Sequence, residues 1–281
     1  MRFSCLSRSS ICVVVAILLA NVESAMADRD VFLADIGGVV GIGSANDQAP
    51  ADADLTTRVF GRVLYADFFG NHPFDPADYG LDEPGFFAMP QGDPELPPGA
   101  SALPPNADVW VNLLPFTLGD NTNALFYWDG VGAVNFAPVS TSQPGVSLVV
   151  DQYPLAPPTG LDSGLDGHPG FSLDNGGSGA PLDGVYLISP TVSVEGLTDS
   201  ERFFLVFLAD ALVESVDDAE ELSEGLENGQ TMFNEKDFGF FLAAQDYVQN
   251  NLVVPEPNSI ALAILACTAI AASGRRGRIA G

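Results

Sequence analysis

Between residues 31 and 208 the apolar positions recur mainly with a period of two. Val59, Val63 and Tyr65 alternate with small or polar positions around Arg58 and Arg62. Val109, Val111 and Leu113 repeat the pattern against Trp110, Asn112 and Leu114. Side chains on a strand point alternately to its two faces, so this spacing predicts strands. Leu125–Trp128, then Asp129-Gly130, then Ala133–Phe136 predict a hairpin, because Asp-Gly supplies the positive φ that tight turns prefer. Val146–Val150, Val185–Val194 and Phe203–Leu208 predict further strands. The last of these, Phe-Phe-Leu-Val-Phe-Leu, is apolar on both faces and predicts a central, doubly covered strand.

No helical stretch separates these segments, which argues against a doubly wound α/β fold. Two long connections interrupt them: 72–105, rich in proline from Pro73 to Pro105, and 151–183, a mixture of Asp, Gly and Pro. Connections of that length are usually functional or mobile. After Leu208 the period changes. Val216, Ala219, Leu222 and Leu226 form a thin apolar stripe on an acidic segment that closes near Gly229, which predicts a helix. Asn234 is placed to cap a second helix, with Asp237 in its first turn and Phe238, Phe241, Leu242 and Val248 on its apolar face. The expected fold class is mainly β. It is a single β-sandwich, jelly-roll-like, over residues 28–253, with one or two C-terminal α-helices in a helical segment at about 210–251.

The two ends differ from this body. Arg2 and Arg8 precede the apolar run Ile11–Ala20, and Ala25-Met26-Ala27 gives a small-x-small cleavage pattern. An apolar run of about ten residues is too short to span a bilayer as a helix, so residues 1–27 are expected to be a signal peptide cut after Ala27. An uncleaved anchor is the alternative. Residues 254–281 contain Val254-Pro255-Glu256-Pro257, an apolar stretch from Ile260 to Ala272, and the cations Arg275, Arg276 and Arg278. The prolines deny helix around Glu256 and keep that strip extended. The apolar stretch can lodge in the inner membrane as a short hydrophobic helix, with the arginines held on the cytoplasmic side. An ordinary C-terminal membrane anchor has the same outline.

This three-part ending resembles the PEP-CTERM sorting tails, in which Pro-Glu-Pro precedes a hydrophobic helix and a terminal basic cluster. The resemblance covers about the last 28 residues. It implies export through the Sec machinery, transient anchoring in the inner membrane and processing by an exosortase, a membrane-embedded cysteine protease. It further implies delivery to the cell surface or an extracellular matrix, with exopolysaccharide as a partner there. The middle of the chain resembles the poorly characterised secreted domains that accompany such tails, through Phe126-Tyr127-Trp128-Asp129-Gly130, His168-Pro169-Gly170-Phe171 and Asp183-Gly184-Val185-Tyr186.

Charge narrows the function classes. The chain has 37 Asp and Glu against 10 Lys and Arg, a formal net charge of −27. Only Arg29, Arg58, Arg62, Arg202 and Lys236 of those cations fall in the body. A polyanion of this kind repels nucleic acid, so no nucleic-acid partner is expected. Cys5, Cys12 and Cys267 all lie in the two ends, which leaves the body without a disulfide, a thiolate metal site or a cysteine nucleophile.

Motifs for catalysis are missing from the sequence. There is no G-x-S-x-G, H-E-x-x-H or P-loop, and Gly41-Ile42-Gly43 lacks the third glycine of a dinucleotide site at Asn46. His72 and His168 both precede proline, with no recognisable nucleophile setting. We therefore expect no catalytic residues and a non-enzymatic role, structural or interacting. One alternative is a carbohydrate-binding module with Trp110, Tyr127 and Trp128 as a platform. Another is a secreted hydrolase using paired carboxylates. For metal, Asp162, Asp166, His168 and Asp174 fall in one connection, near Asp183 and Asn175. Calcium suits such an oxygen-rich loop, whereas zinc would use His168 with carboxylates. The spacing matches no known calcium loop, and solvated turns account for the same aspartates.

Overall fold

The computed structural model describes residues 30–46, 49–66, 79–150, 154–155, 158–175 and 180–253. The expected signal peptide with Ala25 and Ala27, the tail from 254 with Pro255, Glu256, Pro257, Arg275, Arg276 and Arg278, and His72 lie outside them.

In chain order the first strands are β1 (Asp30–Asp35), β2 (Val40–Asn46), β3 (Ala49–Asp54), β4 (Val59–Ala66), β5 (Tyr79–Leu81) and β6 (Phe86–Ala88). Next come β7 (Val109–Asn112), β8 (Phe116–Leu118), β9 (Asn121–Asn123), β10 (Phe126–Trp128) and β11 (Ala137–Pro138), then a short helix α1 (Val139–Ser142). There follow β12 (Ser147–Val150), β13 (Leu165–Gly167), β14 (Phe171–Asp174), β15 (Gly184–Ile188), β16 (Thr191–Val194) and β17 (Phe204–Ala209). The chain then forms α2 (Val216–Glu227), the small hairpin β18 (Met232–Phe233) and β19 (Lys236–Asp237), and α3 (Gly239–Asn251). The protein is mainly β.

Two sheets dominate. One has five strands in the order β13-β6-β1-β2-β3; the other has eight, β11-β10-β15-β17-β4-β5-β14-β12. Most pairs are antiparallel, but β1–β6 and β4–β17 are parallel. The sheets are therefore mixed, unlike the all-antiparallel arrangement of a jelly roll. Phe-Leu-Val-Phe-Leu-Ala of β17 is buried at every position and lies between β15 and β4. Its two faces feed two different cores. Leu205 and Phe207 join Val31, Leu33, Phe60, Leu64 and Phe86 in a core shared with the five-stranded sheet. Phe204, Val206 and Leu208 join Leu222, Leu226, Phe241 and Val248 in a second core beneath the helices. The eight-stranded sheet curls. Phe171 on β14 and Phe207 on β17 have ring centroids 5.5 Å apart, although three strand spacings of a flat sheet would separate their backbones by about 14 Å.

The helices follow the predicted stripe, with Ala219, Leu222 and Leu226 buried and Val216 exposed. Ser215 caps α2, accepting the Asp218 amide at 3.2 Å. Asn234 does not cap α3. It has φ 44° and turns the β18–β19 hairpin, while α3 begins after Phe238. The predicted hairpin arm at 133–136 also moves: β10 pairs with residues 137–138 instead. Gly130 and Gly132, both at positive φ, widen the turn, and Phe136 folds under Trp128. The segment 185–194 splits into β15 and β16 at Ser189-Pro190. Both long connections contain strands, β5 and β6 in one, β13 and β14 in the other. Each is three or four residues long, too short for a period to show. No helix among the described residues is long and apolar enough to cross a membrane.

Candidate functional site

The five-stranded sheet brings three distant segments together at one end. β1 begins at Asp30, and β6 runs parallel to it with Val31 opposite Phe86. β13 runs antiparallel to β6, with Gly167 opposite Phe86 and Asp166 opposite Phe87. The start of β1, the approach to β6 and the exit from β13 therefore converge. They carry Asp30, Glu83 and His168, whose potential ligand atoms all lie within 4.8 Å of one another. Among the described residues, this is the group of three or more His, Cys, Asp or Glu side chains that meets so closely.

Each member is held by groups behind it. Glu83 Oε2 accepts the Gly85 amide at 2.8 Å and lies 3.9 Å from Arg62 Nε. His168 Nδ1 faces Glu83 Oε1 at 3.3 Å, and Nε2 meets Asp166 Oδ1 at 3.0 Å. Asp30 is 8% exposed and Arg62 3%, whereas the His168 and Glu83 side chains are 39% and 37% exposed. The site thus has a buried floor and an open side. Gly85 makes the convergence possible, since a Cβ there would lie 2.6 Å from both Asp30 Oδ1 and His168 Cε1. Its amide and carbonyl also serve the cluster, because Val31 N donates to Gly85 O at 2.9 Å.

The electrostatics follow from this packing. Burial, and then the neighbouring Glu83 charge, push the Asp30 carboxyl up to about 7. Burial also works against ionised Glu83. The hydrogen bond from His168, the Arg62 charge and the Gly85 amide outweigh it and hold that carboxyl below its ordinary value. The hydrogen bond to Glu83 pushes His168 up to about 9 against its own desolvation, with help from Asp30 and Asp166. Without a metal ion, the site at neutral pH is an imidazolium between two carboxylates, backed by Asp30 near its midpoint.

Of the four residues expected to bind metal, the structure brings together His168 and Asp166. Asp162 is exposed, and its Oδ1 accepts the Gly164 amide at 3.2 Å in a local turn. Asp174 ends β14 opposite Ser147 of β12. Neither belongs to the cluster. Asp183 is engaged elsewhere, accepting Tyr79 Oη and the Ala211 amide, each at 3.0 Å. Sequence reasoning missed Asp30, Glu83 and Arg62. Arg62 looked like the polar face of β4, but it shares the inward face of Phe60 and Leu64, where it reaches Glu83.

The sugar-binding platform does not form. Tyr127 and Trp128 are both buried, and as neighbours on β10 they point into opposite cores. Trp110 is half-buried on β7. Carboxylate oxygens of Asp30 and Glu83 lie within 4.8 Å of each other. That is closer than the roughly 5–9.5 Å that either glycosidase geometry uses. A separate cavity of about 410 Å³, lined by Asp35, Gln91, Leu96, Ser101, Leu103 and Ser163 among others, contains none of the cluster residues.

No protein-family description and no curated protein matches the chain. Among solved structures, a family 123 glycoside hydrolase from Clostridium perfringens, studied for glycolipid glycan hydrolysis, is similar over 58% of this chain. The match spans 24% of that enzyme, at 9% identity and a TM-score of 0.21. This chain therefore covers about a quarter of that enzyme's length. A likeness at that level carries no argument about fold or activity.

Proposed function

We propose that the chain is an exported protein, sorted through its C-terminal tail to the cell surface or extracellular matrix, where its β-rich body has a structural or interacting role. In this reading the body is a β-sandwich built from the two sheets, and it has no catalytic residues. The observation that carries the reading is the order of parts in the sequence: Pro255-Glu256-Pro257, the apolar stretch Ile260–Ala272, then Arg275, Arg276 and Arg278, in a chain that opens with a signal-peptide pattern. The partners are the Sec export machinery, an exosortase-type protease and, at the destination, exopolysaccharide. The body agrees with such a destination. Its aromatic side chains are largely committed to two cores, and its acidic surface favours solubility outside the cell.

The test is to replace Pro255, Glu256 and Pro257 together by alanine and to fractionate cells that carry an exosortase. The unprocessed variant should remain in the inner membrane through Ile260–Ala272, while the parent reaches the surface. Normal surface delivery of the variant contradicts the reading.

A further inference from the structure

The structure assigns a zinc-type divalent metal site to Asp30, Glu83 and His168, at the end where β1, β6 and β13 meet. The donor set is one imidazole nitrogen and two carboxylates, whose ligand atoms already lie within 4.8 Å of one another. A zinc ion with ligands about 2.0–2.2 Å away has ligand–ligand edges of about 3.4 Å in a tetrahedral site. The 3.3 Å separation of His168 Nδ1 and Glu83 Oε1 already has that length. The widest separation must close by no more than about 1.4 Å to reach the same tetrahedral edge.

The groups behind the ligands support the assignment independently of the ligands themselves. A metal-binding histidine usually donates its other ring N–H to a carboxylate, which fixes the tautomer and the ring plane. Asp166 stands in that place, 3.0 Å from His168 Nε2, and so directs Nδ1 toward the other two ligands. Glu83 is oriented in the same way. Its Oε2 is held by the Gly85 amide, leaving Oε1 for the ion. Gly85 keeps the space between Asp30 and His168 that any side chain would fill. Charge also balances. Once the ion has displaced the protons on His168 and Asp30, the carboxylates of Asp30, Glu83 and Asp166 set against Arg62 leave an excess of two negative charges, which one divalent cation matches.

The set selects among metals. Calcium takes six to eight oxygens, and an imidazole with two carboxylates falls short of that. Zinc accepts three protein ligands and one open position, and here the open position faces solvent through the exposed sides of Glu83 and His168. Asp166 therefore moves from the ligand set read in sequence to a positioning role, and Asp162 and Asp174 leave the site altogether.

The experiment is calorimetric titration of zinc chloride, and separately calcium and magnesium chloride, into the full chain. The protein is held in detergent, stripped of metal and kept at constant ionic strength. One zinc per chain should bind, at least tenfold more tightly than calcium or magnesium. Glu83→Gln and His168→Gln should each weaken zinc binding at least tenfold, and Asp166→Asn about tenfold. Asp162→Ala and Asp174→Ala should leave it unchanged. Equal binding of all three cations, or zinc binding unaffected by His168→Gln, overturns the site. Cobalt(II) bound to the parent protein gives a readout that does not depend on any variant folding. The strong visible bands of a four-coordinate ion are expected, and the weak spectrum of a fully hydrated ion overturns the assignment.

Discussion

Replacing Phe207 by alanine is expected to lower the unfolding free energy by about 3–5 kcal/mol, the usual cost of removing a fully buried aromatic ring. Phe207 has no exposed surface. It sits on the central strand β17, opposite Tyr186 on one side and Arg62 on the other. Its ring packs on Phe171, whose strand reaches it because the eight-stranded sheet curls. The cavity would therefore open where the curl is closed, a place with little freedom to collapse. For a body of this size the loss corresponds to a fall in Tm of about 6–20 °C. Val131→Ala, at a position 74% exposed, is the control and should change stability by less than about 0.5 kcal/mol. A Phe207→Ala protein that melts with the parent would show that the sheet does not curl onto this ring.

Asp30→Asn is expected to stabilise the metal-free body at high pH and to do little at low pH. The folded chain raises the Asp30 carboxyl from 3.8 to about 7. Between those values the folded state binds a proton that the unfolded chain has released, so stability falls as pH rises through that window. His168 acts in the same direction at higher pH. Its contribution is complete below 6.5 and is lost as pH rises through about 9. Glu83 acts oppositely: its folded value lies below 4.5, so its contribution is present above 4.5 and is lost on acidification. Asparagine keeps the shape of the protonated acid and can still donate to Glu83, but it releases no proton. In EDTA the variant and the parent should be nearly equal at pH 4. The variant should gain with pH and level off above pH 7 at about 2–4 kcal/mol more stable, the free-energy equivalent of a shift of this size. Whole-body charge repulsion also grows with pH, but both proteins share it. A difference that does not change with pH contradicts a buried, proton-holding Asp30.

The parts legible in the sequence were those whose pattern is long and local. Phe203–Leu208 reads as a doubly buried strand because six apolar residues in succession leave no polar face, and β17 has that position. The stripe of Ala219, Leu222 and Leu226 reads as a helix because three turns repeat it. The candidate site had no such pattern. Asp30, Glu83 and His168 are far apart in the chain, and pairings only two or three residues long, β1–β6 and β6–β13, bring them together. His168 and Asp166 were visible as a pair because they are two residues apart, and that contact exists. Asp162 and Asp174 were grouped with them on sequence proximity, which says nothing about where a turn and a strand end will point. Arg62 was hidden by its own strand. A period of two assigns an arginine to the polar face, whereas this one is buried with its guanidinium donating to the Gly61 carbonyl at 2.7 Å and lying 3.9 Å from Glu83.

The sorting claim is tested most directly by the intact mass of the protein recovered from the cell surface. The surface form is expected to start at Asp28 and end near Pro255-Glu256-Pro257, without the apolar stretch Ile260–Ala272. A surface form whose mass still includes Arg276 would contradict it.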